Sequence, residues 1–263
     1  MSSTSEAVLG TQSISRVFAL LREEAENNRE GLRLVDIARR LDMQPPTAHR
    51  ILKCLLEERA LRRDERSKRY FLGAALYEFG LVATPRIDLR AMCVPVLERL
   101  AEETEDMIFL TVRSGADGVC LSRREGKFPV KTYTLDVGMR RPLGVGAGSL
   151  AILSALPDEE ISEIVRKNAA RLHEHDGLTE SALMSQVRRT QKLGYAVRDL
   201  RGLGGVRTIG VAVRASDGIP VAALSLSAIR PRMKDERVAA LAKLLRREAA
   251  ALEQQLADVR GAG

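Results

Sequence analysis

The sequence predicts an α+β protein in two unequal parts, a winged helix-turn-helix in front and a mixed strand-and-helix unit behind. Three observations predict it. Residues 34–57 carry two short amphipathic helical patterns separated by a turn. A charged run, Arg62 to Arg69, follows between the apolar strand-like ends Leu61 and Tyr70-Phe71-Leu72. Beyond residue 89, strand-like stretches alternate with helical ones over roughly 170 residues, the pattern of an α+β or α/β unit.

Taken in order, residues 1–10 are polar and small and are expected to form a disordered tail. A helix is predicted from Ile14 to Glu26, with Ser13 as its N-cap and Ile14, Val17, Phe18 and Leu21 turned inward. The next helix, Leu34 to Leu41, places Leu34, Ile37, Ala38 and Leu41 on one stripe. Asp42 stands at the turn, where a left-handed residue is often needed and Asp adopts that conformation more readily than most non-glycines. Pro45 and Pro46 then open a third helix, because a first turn has no use for the missing N–H. Its apolar residues Ala48, Ile51, Leu52, Leu55 and Leu56 recur at helical spacing, and Thr47, His49, Arg50, Lys53 and Glu57 occupy the other face. The charged run after Leu61 reads as the tip of a two-stranded wing.

From Arg33 to Arg69 there are eleven Lys or Arg against six Asp or Glu, hence 11 − 6 = +5. Phosphate attraction supplies most non-specific affinity for DNA. Charge alone would equally suit a small three-helix domain with solvated side chains. The helix pair, its turn, the proline start and the basic wing together point to double-stranded DNA, with Gln44, Pro46, Thr47, His49, Arg50 and Lys53 toward the major groove and Arg66, Lys68 and Arg69 in the wing toward phosphate or the minor groove.

The segment Leu34-Val-Asp-Ile-Ala-Arg-Arg-Leu-Asp-Met-Gln-Pro-Pro-Thr-Ala-His-Arg-Ile-Leu52 resembles the DNA-binding domain of the IclR family of bacterial transcription regulators. The family shows Ala at the position of Ala38 and a Thr-x-His-Arg-Leu-Leu motif, here Thr47 to Leu52. Its usual turn glycine is replaced by Asp42, and its frequent Lys-Ser pair by Pro45-Pro46, so base preference does not transfer from relatives.

The whole chain is compatible with this. At 263 residues it can build two cores. It has no Trp and 3% aromatic residues, which argues against a single-strand binder built on stacking platforms. A net charge of +7 suits a polyanionic partner. Residues 1–7 lack the pattern of a signal peptide, and no apolar run approaches the ~20 residues of a membrane span. Cys54, Cys93 and Cys120 are far apart and suggest a reducing cytoplasm without a disulfide framework.

Gly73 to Val82 is a short connecting helix, with Leu76, Phe79 and Gly80 on one side and Pro85 at its end or kink. A longer helix follows through Leu89, Met92, Cys93, Val96, Leu97 and Leu100, with Pro95 expected to bend it. Strands are predicted at Ile108–Val112, Val119–Arg123 and Val130–Leu135, with a turn at Ser114 to Gly118. A glycine bend at Gly144, Gly146 and Gly148 leads into a helix from about Ser149 to Leu156. Further helices run from Pro157 and from Glu180 to Leu193, the latter closed by Gly194. Strands at Tyr195–Asp199, Thr208–Arg214 and Val221–Ser227 follow, with Asp217-Gly218 as a turn, and the chain ends in an amphipathic helix from Asp235 to Val259.

The rear part resembles the same family through Arg141-Pro-Leu-Gly-Val-Gly-Ala-Gly-Ser-Leu-Ala-Ile-Leu-Ser-Ala-Leu-Pro157, Leu193-Gly-Tyr-Ala196, Gly205-Val-Arg-Thr208 and Val221-Ala-Ala-Leu-Ser-Leu-Ser227. The resemblance implies a winged helix-turn-helix over 11–73, a linker helix over 74–88 that helps pair subunits, and a GAF-like effector-binding and oligomerisation domain over 89–263. It also implies a homodimer or homotetramer on a palindromic operator of a catabolic operon. Matching onto the family's effector contacts gives Gly146, Ala147, Thr208, Ser225 and Ser227. Arg198 aligns with an acidic contact of the family. If it faces the pocket it favours a carboxylate, so the expected effector is a small organic acid; the alternative is a surface charge on an edge strand.

Other chemistry finds little purchase. Ser149 stands where G-x-G-x-x-G needs its last glycine. The His173-Glu-His175-Asp176 run has its histidines two apart, wrong for one helical face, and reads as a solvated loop rather than a metal site. Cys120 reads as a buried strand residue. No catalytic residue, metal or cofactor is expected. An enzyme on the rear domain and a ligand-independent DNA binder remain as alternatives, the second disfavoured by the size of that domain.

Overall fold

The computed structural model describes residues 11–83, 88–200 and 205–261, with residues 260 and 261 described by backbone alone. The expected tail, Pro85 and Arg201 lie outside the described residues. Two compact units divide at 86/87.

The first unit is α1 (Gln12–Asn27), α2 (Leu34–Arg40), α3 (Pro45–Glu57), the hairpin β1 (Leu61–Arg63) and β2 (Tyr70–Leu72), and α4 (Ala74–Val82). Its core gathers Leu20, Leu32, Ile37, Leu52, Leu55, Leu61 and Tyr70. Asp42 is left-handed, with φ +47°, as the turn between α2 and α3 requires. In α3 the residues Ala48, Leu52 and Leu55 are buried, and Gln44 precedes the proline start in an extended conformation. The α1 expectation needs correction. The helix begins one residue before Ser13, with Thr11 at the cap position and no side-chain capping bond. Leu20 and Glu24 face the core, whereas Ile14 and Phe18 are more than half exposed. Helical spacing fixes which residues share a face but not how much of that face the rest of the chain covers.

The second unit is α5 (Leu89–Thr104), β3 (Met107–Ser114), β4 (Asp117–Arg124), β5 (Arg140–Pro142), α6 (Ala147–Ser154), α7 (Asp158–Leu172), α8 (Glu180–Leu193), β6 (Ala196–Leu200), β7 (Val206–Arg214), β8 (Pro220–Ile229) and α9 (Asp235–Gly261). The strands form one antiparallel sheet in the order β5-β4-β3-β8-β7-β6. Side chains alternate across it. Leu224 and Leu226 of β8 join Ile209 and Val211 of β7 under α5 and α9. Their neighbours Ala223, Ser225, Ser227, Thr208 and Gly210 are small and face the other way. That face lets α6, buried along its whole length, press its N-terminus onto the sheet: a Cβ at Gly210 would lie 2.6 Å from the Ala147 carbonyl oxygen.

The strand expected at Val130–Leu135 is absent. Thr132 and Thr134 turn inward and Tyr133 outward, so the alternation is present over these three residues though not at Val130, and no neighbouring strand accepts it. The β4 edge is taken by β5, and by Gly138 and Met139 at Cys120. A strand without a ladder partner leaves its backbone unpaired, and Pro129 removes one donor outright. The glycine-bend helix also begins two residues earlier than expected, at Ala147.

Candidate functional site

On the first unit, the outer face of α3 presents Gln44, Pro46, His49, Arg50 and Lys53 to solvent, with Thr47 half-buried. Lys53 lies 3.9 Å from Glu57, and among the described residues His49 and Arg50 have no ion-pair partner. The wing pairs Leu61 with Leu72 and Arg63 with Tyr70. Its tip is tied by Asp64, which accepts bonds from the Ser67 amide and hydroxyl; these hold its carboxyl below the usual range. Arg66 is exposed there. Lys68, with φ +58°, pairs with Glu65 at 2.9 Å. The Arg69 guanidinium donates to the Gly31 carbonyl at 2.6 Å and fastens the wing to the α1–α2 loop. Arg62 and Arg63 pack over Phe71 and Tyr70, at 4.3 and 5.6 Å from the ring centroids, which stiffens the basic hairpin.

On the second unit, a chamber lies between the N-terminus of α6 and the small-residue face of the sheet. Gly146, Ala147, Thr208, Ser225 and Ser227 all line it, as do Thr111, Cys120 and Thr134. Gly146 has φ +92°, which lets the chain turn into α6 with its first N–H groups facing the chamber and no acceptor one turn back. Thr208 stands opposite Ser227, so the hydroxyls fall in one row across β7 and β8. The Thr111 hydroxyl is buried and makes no hydrogen bond among the described residues. A bulge between Leu110 and Thr111 sets Thr111 opposite Cys120. Burial pushes the Cys120 thiol up to about 12. The room left is about 30 Å³, enough for roughly one or two waters.

Arg198 does not line this chamber. It borders an adjoining outer cleft of about 290 Å³, with Tyr133, Arg141, His175 and Asp176. Thr134, Leu135, Arg141, Val145 and Leu200 are common to the two spaces. Arg198 is no surface charge on the edge strand either: it is 8% exposed. Its guanidinium donates to the Gly144 carbonyl at 2.7 Å, and burial lowers its pKa from the usual value. Thr111, Thr132 and Thr134 were missed by the sequence reading. The period-two spacing of Thr132 and Thr134 is the signal the sequence holds, and it is equally the signal of a strand.

Residues 82–254 match the family profile described as the C-terminal domain of the bacterial transcriptional regulator IclR, and residues 13–65 match the IclR helix-turn-helix domain. The chain is 27% identical to the HTH-type transcriptional regulator XynR of Escherichia coli over 246 residues, covering 93% of this chain and 97% of that one. It is 27% identical to the HTH-type transcriptional regulator KipR of Bacillus subtilis over 212 residues, covering 80% and 84%. The crystal structure of an IclR homologue from Microbacterium hydrocarbonoxydans, complexed with 4-hydroxybenzoate, has the same fold, with a TM-score of 0.71 at 23% identity over 93% of this chain and 98% of that one.

Proposed function

Because the chain belongs to the IclR family of bacterial transcription regulators, we propose that residues 11–73 bind a palindromic operator in double-stranded DNA and that residues 89–263 bind a small organic acid that alters this binding. The observation that carries the DNA reading is the outer face of α3. Gln44, Pro46, Thr47, His49, Arg50 and Lys53 are grouped there, and His49 and Arg50 have no acidic partner among the described residues. An Arg held this way can make a bidentate contact to guanine, worth about 1–3 kcal/mol of base discrimination. Arg66 and Lys68 serve phosphate at the wing, while Arg69 positions it.

A palindrome needs a two-fold partner. Support for a homo-oligomer comes from α1 and α4, which leave Ile14, Phe18, Tyr77, Phe79, Leu81 and Val82 exposed, Val82 at 90%. A helix apolar on nearly every side is ordinarily covered, and a second copy of α4 is the occupant its chemistry fits.

The acid reading rests on Arg198. Among the described residues the buried Arg198 guanidinium donates to a neutral carbonyl and is favoured electrostatically by the Asp176 carboxylate, and an anion would offset more of the cost of burying its charge. The α6 N–H groups and the Ser225 and Ser227 hydroxyls suit oxygen atoms of the same ligand. The 4-hydroxybenzoate bound by the Microbacterium homologue is an acid of this class. No catalytic role is assigned: the buried Cys120 thiol stays protonated at neutral pH and is a poor nucleophile. No described helix is long and apolar enough to cross a membrane, and a DNA partner implies the cytoplasm.

Footprinting of the region upstream of the protein's own gene, with and without a panel of organic acids including 4-hydroxybenzoate, tests the reading. The expected result is a discrete palindromic site whose protection responds to an acid and is lost in Arg50→Ala. Uniform coating of DNA, or normal protection by that variant, would overturn it.

A further inference from the structure

The coil from 125 to 139 crosses the mouth of the chamber as a strap. Its ends are fixed by backbone bonds: Gly126 donates to Asp106 and Phe128 to Glu105, while Gly138 donates to Cys120 and Cys120 to Met139. Between those ends Thr132 and Thr134 turn inward, Leu135 packs on Phe109 and Cys120, and Arg123 of β4 donates to Leu135 and Asp136; Thr132 is the residue that bonds to β8. Thr132, 5% exposed, sets its Oγ1 2.6 Å from Ser227 Oγ, and the Ser227 hydroxyl donates to the Thr132 carbonyl oxygen at 2.9 Å. Ser227 has one hydroxyl proton, and the Thr132 carbonyl receives it. The proton in the 2.6 Å contact is therefore Thr132's. Donor and acceptor capacity of Ser227 are both engaged by one residue of the strap.

Thr134 and Leu135 of the same strap wall the chamber off from the outer cleft. The enclosed 30 Å³ cannot take an organic acid, whereas ligand pockets run to roughly 300 Å³ or more. Chamber and cleft, divided by Thr134 and Leu135 together with Arg141, Val145 and Leu200, become one space of that order when residues 132–135 move outward.

We propose that Thr132 is a built-in latch: it occupies Ser227 as a ligand's oxygen-bearing group would, and the strap it holds must lift for an effector to reach the chamber. The incoming group that replaces it is a hydroxyl or a carboxylate oxygen, able to accept from Ser227 and match the neighbouring Ser225 and Thr111 hydroxyls. The latch rests on the reading of the chamber as the effector site, and it makes regulation a competition between the chain and its ligand for the same hydroxyl.

Cys120 lies inside the chamber and reports its opening, since a buried, protonated thiol reacts only when exposed. The experiment uses the full chain carrying Cys54→Ser, which removes the exposed thiol, and follows iodoacetamide labelling of Cys120 and Cys93 separately by peptide mass spectrometry. Loss of the Thr132 hydroxyl in Thr132→Val is expected to speed Cys120 labelling about five- to tenfold, with Cys93 unchanged. Thr132→Ser keeps the hydroxyl and is expected to label at the parent rate. Unchanged Cys120 labelling in Thr132→Val, an equal rise at Cys93, or a Ser variant as fast as the Val variant would each overturn the latch. Neither DNA nor effector is needed, so that failure is distinct from a footprint that fails to respond to acids.

Discussion

Glu24 should make the stability of the DNA-binding unit fall with rising pH, in a way one substitution removes. Its side chain is 0% exposed on the core face of α1, and neither carboxyl oxygen has a hydrogen-bond partner among the described residues. The Leu32 backbone and Arg40 favour the charged form but do not offset the burial, the Leu32 amide donating to the Tyr70 carbonyl and Arg40 to Glu23 and Asn27. Burial accordingly pushes the carboxyl from 4.5 up to about 8. The folded state then binds a proton that the unfolded chain releases between these values, so stability is fully present below pH 4.5 and is lost as pH rises toward 8. At pH 7, about 2.5 pH units above the unfolded value, the loss amounts to about 3 kcal/mol at roughly 1.4 kcal/mol per unit. Glu24→Gln removes the titration and keeps the shape. Native-state hydrogen exchange of α1–α3 amides in both proteins from pH 5.5 to 7.5 reads the opening free energy, and the comparison cancels the intrinsic pH dependence of exchange. The advantage of the variant should grow by about 1.4 kcal/mol per pH unit. A difference that stays flat across this range would refute the assignment of a neutral buried carboxyl, whatever the absolute stabilities.

Four further outcomes are expected. Gly210→Ala would drive a Cβ to 2.6 Å from the Ala147 carbonyl oxygen, a backbone atom that cannot swing aside, and should destabilise the larger unit by about 1–3 kcal/mol in thermal unfolding. Gly148→Ala places a Cβ 3.0 Å from both the Ser225 and Thr111 hydroxyls; calorimetric titration with an acid shown to bind the parent should show loss of binding, while operator binding measured without ligand is retained. Arg66→Ala should weaken operator binding across sequences and lower the slope of log affinity against log salt by about one, as a phosphate contact does. Tyr77→Ser with Phe79→Ser should shift the protein toward monomer in sedimentation, because these are the two largest exposed apolar side chains of α4 and lie on different sides of it.

Local chemistry carried much of the architecture. Apolar residues at 48, 51, 52, 55 and 56, prolines at 45 and 46, and an Asp suited to a left-handed turn are enough to write α3 and its approach, since each depends on near neighbours alone. Two serines two apart in a strand must share a face, so Ser225 and Ser227 were legible as a pair, and Gly144 and Gly146 do adopt the positive φ a tight bend uses. What the sequence could not supply was partnership over distance. Whether Val130–Leu135 becomes a strand depends on who holds the β4 edge, and β5 holds it. Whether Ile14 and Phe18 are core depends on how far the rest of the unit reaches along α1. Arg198 could be placed opposite Thr208 by its strand, but its length lets the guanidinium end at Gly144 rather than at Ser227, and only the packed structure chooses between them. The meeting of Thr132 with Ser227, ninety-five residues apart, was invisible for the same reason: hydrogen bonds between distant segments follow from how the sheet, α6 and the strap fill space together, not from any local pattern.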